Sequence, residues 1–220
     1  MKKIIFLFFT LLLSVFIFSG ISQAVMYADH VVNIYRGDTT IGDFTGYYGG
    51  EFPGLYPVEL TEVGAKQAVL GPPDTKFLSL PGRDDVPSGT GWPYAYVEVG
   101  FPSNFSAWSY LLITELGANA ESAHLWIWTL DGSNWQPEIT RNGEDTIIVD
   151  LSPMAGFVAS HGGAFKSVSI GGLDILGTSQ GFDLDAVGVE GKVPEPSTML
   201  LIGSGLIGLA GYGRKKFFRK

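Results

Sequence analysis

Turn-forming residues interrupt the middle of this chain so regularly that no long helix has room there. Gly71-Pro-Pro-Asp74, Pro81-Gly-Arg-Asp84, Asp131-Gly132 and Gly171-Gly172 preset or free the backbone angles that tight turns require. The runs between such signals are short and rich in β-branched and aromatic residues. They predict strands near Val31 to Tyr35, Ala68 to Leu70, Phe77 to Leu80, Tyr94 to Phe101, Tyr110 to Leu116, Ala123 to Thr129, Asp145 to Leu151, Phe165 to Ile170 and Asp183 to Val189. Outside the two termini no segment sustains a period of 3.6 residues. Short strands without interleaved helices, in a chain with 30 glycines and 12 prolines, predict an all-β fold of the antiparallel β-sandwich class.

The ends of the chain obey different chemistry. Met1-Lys2-Lys3 precedes an apolar run from Ile4 to Phe18, and Ser22-Gln23-Ala24 supplies a small-x-small cleavage pattern, so residues 1–24 are expected to be a signal peptide. Its alternative is an uncleaved membrane anchor. At the other end Val193, Pro194, Glu195 and Pro196 open an extended, turn-rich segment. An apolar stretch from Met199 to Gly213 follows, and then a basic stop of Arg214, Lys215 and Lys216. The apolar stretch predicts a transmembrane helix about 22 Å long at 1.5 Å per residue, short for a bilayer and reliant on snorkelling basic side chains. Gly203-Ser-Gly-Leu-Ile-Gly208 has the glycine spacing of a dinucleotide loop. It lacks the preceding strand and the acidic residue that such a loop needs, so its glycines belong to the membrane helix.

The order V-P-E-P-S-T, then L-L-I-G-S-G-L-I-G-L-A-G, then R-K-K resembles the PEP-CTERM protein-sorting signal, a tail also known as the ice-binding protein C-terminal domain. The resemblance implies export, transient anchoring in the bacterial inner membrane with the body outside, and recognition by an exosortase that cuts near Pro194-Glu195-Pro196. A cell-surface or extracellular destination, such as a biofilm matrix, follows from the same resemblance. Ice binding is not carried over with the name. Residues 193–220 then form the sorting signal, and residues 25–192 the β-sandwich domain between the two signals.

Charge and composition narrow the partners. The formal net charge is -8, yet seven of the 14 basic residues lie at the termini; between Val25 and Lys192 there are 7 basic and 21 acidic residues, a balance of -14. Such a body repels phosphate backbones, which excludes nucleic acid as a partner. Cysteine is absent, so disulfides, thiolate metal sites and a cysteine nucleophile are absent too. His30, His124 and His161 form no metalloprotease spacing, and no nucleophile elbow occurs.

Within the body, AVLGPPD followed by FLSL, YVEVGF, LLITELG, WIWTLDGSNW, DTIIVDL, FKSVSI and GFDLDAVGVE come in an order that resembles a galactose-binding-like, discoidin-type jelly roll. That resemblance implies a sandwich that hosts lectin-like, adhesive or structural roles, and a structural calcium near its final strand. Asp183 and Asp185 alternate with Phe182 and Leu184, which puts both carboxylates on one side of a strand and makes them the candidate Ca2+ ligands. Their alternative is a solvated turn residue and an acceptor of backbone amides. His124, Trp126 and Trp128 share one strand face and Leu125 and Ile127 the other. The tryptophans read either as a stacking platform for sugars or as core, and the jelly-roll resemblance implies core. Trp92, Trp108 and Trp135 sit beside turn residues, and Trp92 and Trp135 are the candidate ligand-binding positions. The expectation is a non-catalytic surface or matrix protein associated with extracellular polysaccharide. A secreted glycan-active enzyme is the alternative, although nothing selects a carboxylate pair among the acidic residues.

Overall fold

The computed structural model describes residues 24–37, 46–54, 58–82, 95–116, 121–140, 145–173 and 181–191. The signal segment, the expected transmembrane helix, the sorting motif at residues 193–196 with its basic stop at 214–216, and Trp92 all lie outside the described residues. Among the described residues no helix is long and apolar enough to cross a membrane.

From Ala24 to Gly191 the chain is one compact unit built from two antiparallel sheets. The first sheet holds β1 (Met26–Tyr27), β3 (Tyr47–Glu51), β4 (Val58–Leu60), β5 (Lys76–Leu80), β7 (Ser109–Glu115), β11 (Thr146–Asp150) and β13 (Phe182–Gly191). The second holds β2 (His30–Tyr35), β6 (Tyr96–Phe105), β8 (Ser122–Thr129), β9 (Asn134–Trp135), β10 (Glu138–Thr140) and β12 (Phe165–Gly172). Strand order in the first sheet is β11-β7-β13-β5-β3-β4, with β1 also pairing β13; in the second it is β10-β8-β12-β6-β2, with β9 also pairing β8.

Two stretches differ from the sequence expectation. Ala68 to Leu70 is no strand: it follows the short helix α1 (Glu62–Gln67), whose Thr61 cap accepts from the Gly64 amide, and Ala68 and Val69 plug the core. A second short helix, α2 (Ala155–Ser160), follows the 3-10 turn at Ser152–Met154. Six residues make fewer than two turns, too short for an apolar period to declare itself. The strands β1, β4, β9 and β10, of two or three residues, escape the pattern for the same reason, and β3 escapes it because two of its five residues are glycines.

A single apolar cluster joins the sheets. β8 contributes Leu125 and Ile127, β12 contributes Phe165, Val168 and Ile170, and β6 contributes Val97 and Val99. From the opposite sheet come Leu78, Leu80, Leu111, Ile113, Phe182, Leu184 and Val187. Because side chains alternate along a strand, fixing these residues inward fixes their neighbours outward. Leu125→Ala is expected to cost about 2–5 kcal/mol of unfolding free energy, whereas Val63→Ala, at a position 65% exposed, should stay within about 0.5 kcal/mol; urea denaturation of the two variants checks this.

Candidate functional site

The alternation puts His124, Trp126 and Trp128 on the outer face of the second sheet, because Leu125 and Ile127 between them are wholly buried in the core. Both tryptophans thus point away from the apolar cluster between the sheets, although Trp126 is itself buried and only Trp128 is half-exposed. The register then aligns three rows across the sheet. One row runs Glu138, His124, Gly171, Tyr96, Tyr35; the next Trp126, Ser169, Glu98, Asn33; the third Asn134, Trp128, Ser167, Gly100, His30. Neighbouring strands stand about 4.8 Å apart and alternate rows about 7 Å apart, so these residues tile one continuous surface.

The central strand β12 presents only Gly171, Ser169 and Ser167 to this face, and that is why large rings fit beside it. A Cβ on Gly171 would meet the Trp126 ring at 3.1 Å, so the indole lies across that glycine; a Cβ on Gly100 would run into the His30 imidazole at 2.3 Å. Trp128 Nε1 donates to Ser169 Oγ at 2.8 Å. The Ser167 hydroxyl donates to Glu98 Oε1 at 2.6 Å, and Asn33 Nδ2 donates to the Tyr96 hydroxyl at 2.8 Å. The His124 and Trp126 rings are 4.4 Å apart, and Tyr35 and Tyr96 are 5.8 Å apart. Trp126 is 7% exposed and anchors the surface, while Trp128, Tyr96, Glu98 and Tyr35 are half-buried and can still meet a ligand. Burial, followed by the Glu98 charge, pushes the Tyr96 phenol up from its ordinary value, so it keeps its proton at neutral pH.

One polar atom on this surface is buried and has no hydrogen-bond partner among the described residues: His124 Nε2. Its other ring nitrogen, Nδ1, lies 3.7 Å from Glu138 Oε1, too far for a normal hydrogen bond.

The positions singled out from sequence fall elsewhere. Trp135 is a strand residue in β9, paired with Ile127 and packed half-buried against the core, rather than a loop residue. The two-residue β9 is too short to show alternation. Trp108 does lie in a turn, 64% exposed, its amide donating to Ser106 Oγ. Asp183 is buried opposite Ser79, whose hydroxyl donates to it at 2.5 Å. Asp185 is the extra residue of a β-bulge: Leu184 pairs with Glu115 and Ala186 with Thr114, leaving none opposite it. Its two oxygens accept from the Asp74 and Thr75 amides at 3.2 and 3.3 Å. Thr75 has φ 72°, an outlying conformation for a β-branched residue, and the Asp185 carboxylate holds that turn in place. Among the described residues no three His, Asp or Glu side chains converge where they could hold a metal ion. A separate hollow of about 670 Å³ lies beside the β3–β4 hairpin, walled by Phe52, Pro53 and Val58 with Lys76 at its margin.

A profile of the PEP-CTERM protein-sorting motif matches residues 192–215. The chain therefore carries that sorting motif, which supports an exported protein processed by an exosortase. No curated protein matches the chain's sequence.

Desolvation raises the Asp185 pKa above its ordinary value, against the two amide bonds that lower it. The folded state then holds this proton more tightly than the unfolded chain, whose aspartates titrate near about 3.9. The group's contribution to stability is largest below that pH and is lost as pH rises through the folded pKa. Asp185→Asn, which keeps an amide acceptor, should gain stability relative to wild type between pH 4 and pH 7 in urea titrations; a gap that stays constant with pH contradicts the assignment.

Proposed function

We propose that this protein is exported, held transiently in the inner membrane by its tail, processed by an exosortase, and then acts at the cell surface or in the extracellular matrix as a non-catalytic glycan-binding protein. The outward placement of Trp128, Tyr96 and Tyr35 beside Glu98, Asn33, His30 and Glu138 carries the reading of the body. Sugars offer apolar ring faces edged by hydroxyls, and a sheet face that alternates aromatic rings with amide and carboxylate groups complements both. The body is read as a discoidin-type jelly roll that uses a sheet face as its binding surface. Individually weak contacts suffice when many copies are displayed on one envelope, because avidity multiplies them. Hydrolysis would demand two carboxylates set across one bond, whereas Glu98 and Glu138 stand three strands and one row apart, about 16 Å.

Two outcomes are expected. The full chain in detergent should retain extracellular polysaccharide from its producer, release no sugar fragments, and bind at least about tenfold more weakly after Trp128→Ala, a loss of about 1.4 kcal/mol, while Trp108→Ala is neutral. Steady fragment release that tracks the protein through purification would instead favour the glycan-active enzyme. Mass spectrometry of the mature protein should show loss of the first ~24 residues and of everything beyond the Pro194 to Pro196 region; an intact Arg214 to Lys220 terminus on surface material contradicts processing.

A further inference from the structure

Resting on the glycan-binding reading, we infer that the outer face of the second sheet selects glycans carrying free amino groups, that is, cationic amino sugars in preference to neutral or acidic ones. Three kinds of group on this face favour an ammonium. The first is charge: Glu138 and Glu98 project from it, while no lysine or arginine occupies any of the three rows. Among the described residues Lys166 is exposed beside the third row, where the β12 register shifts between Phe165 and Ser167, and Arg36 is exposed one residue beyond Tyr35 at the end of the first; neither stands in a row with Glu138 or Glu98. His30 is already engaged by Asp29, its Nδ1 lying 2.6 Å from the carboxylate. The second is the aromatic surface, since ammonium groups are attracted to the faces of Trp and Tyr rings as neutral or anionic groups are not. The third is His124. Its ring lies 4.4 Å from that of Trp126 and extends the aromatic surface toward Glu138, whose carboxylate is 52% exposed and supplies the countercharge for an arriving ammonium.

The separation of Glu138 from Glu98, about 16 Å across three strand spacings and one row, fits successive amines along an oligomer better than one monosaccharide. The acidic balance of the whole body, -14 between Val25 and Lys192, steers a polycation toward it and a polyuronate away.

The test uses the full chain in detergent with three probes of matched length: a β-linked glucosamine oligomer, its fully N-acetylated form and an oligouronate. Calorimetric titration at pH 6 and low salt should rank the free amine tightest, at least about fivefold over the acetylated form, with the advantage shrinking at 0.5 M salt. Glu98→Gln and Glu138→Gln, each checked for an unchanged melting temperature, should bring the amine-to-acetyl ratio toward one. Equal affinity for amine and acetyl forms, or preference for the uronate, overturns the selectivity while leaving glycan binding standing. Loss of folding in one variant leaves the other, and the probe ranking itself, to decide. Failure of all three probes and of the producer's polysaccharide overturns the glycan-binding reading underneath it.

Discussion

The second sheet depends on what its central strand can present on each side. β12 turns Phe165, Val168 and Ile170 into the core and only Ser167, Ser169 and Gly171 outward. A bulky outward residue at any of these positions would displace the rings that lie across the strand from β8. With small ones, Trp126 settles over Gly171 and Trp128 bonds to Ser169. Burial of the inner face thus orders the outer one, since the alternation that sends Ile170 inward leaves Ser169 and Gly171 nowhere else to point.

The two sheets divide the labour. The first holds its polar groups in structural bonds: Ser79 to Asp183 across a strand pair, and Asp185 to the strained turn at Asp74 and Thr75. β1 pairs with the far end of β13, Met26 opposite Val189, so the body begins and ends on adjacent strands. The second sheet keeps polar and aromatic groups half-exposed, and it holds a buried ring nitrogen without a partner among the described residues. The proposed glycan-binding role rests on those half-exposed rings and polar groups.

Much of this was legible in the sequence. The runs YVEVGF, LLITELG and GFDLDAVGVE each contain strand because they are short stretches rich in β-branched and other large apolar residues between turn signals, and the tail was legible because three unlike segments occur in fixed order. The direction of Trp126 and Trp128 was not. Both sides of β8 are apolar, Leu125 and Ile127 on one and the tryptophans on the other, so alternation shows that two faces exist without saying which is inside. The neighbour decides: Ser167 and Ser169 opposite the tryptophans, with Gly171 beyond them under the Trp126 ring, leave room for rings lying flat, and that pairing appears only once β12 is known to lie beside β8. The bulge at Asp185 was hidden likewise, because a bulge is a property of two strands and the sequence displays one.

The most direct measurement is the response of the five indole N–H signals in a nitrogen-15 correlation spectrum of the full chain, assigned by single Trp→Phe replacements, as the producer's polysaccharide fragments are titrated in. Trp128, whose Nε1 hydrogen bond to Ser169 lies within the platform, should shift progressively with ligand, while Trp108 in its turn and Trp135 on the core side of β9 stay fixed. A spectrum in which Trp108 or Trp135 moves and Trp128 does not would place the ligand elsewhere and contradict the assignment of the outer face as the binding surface.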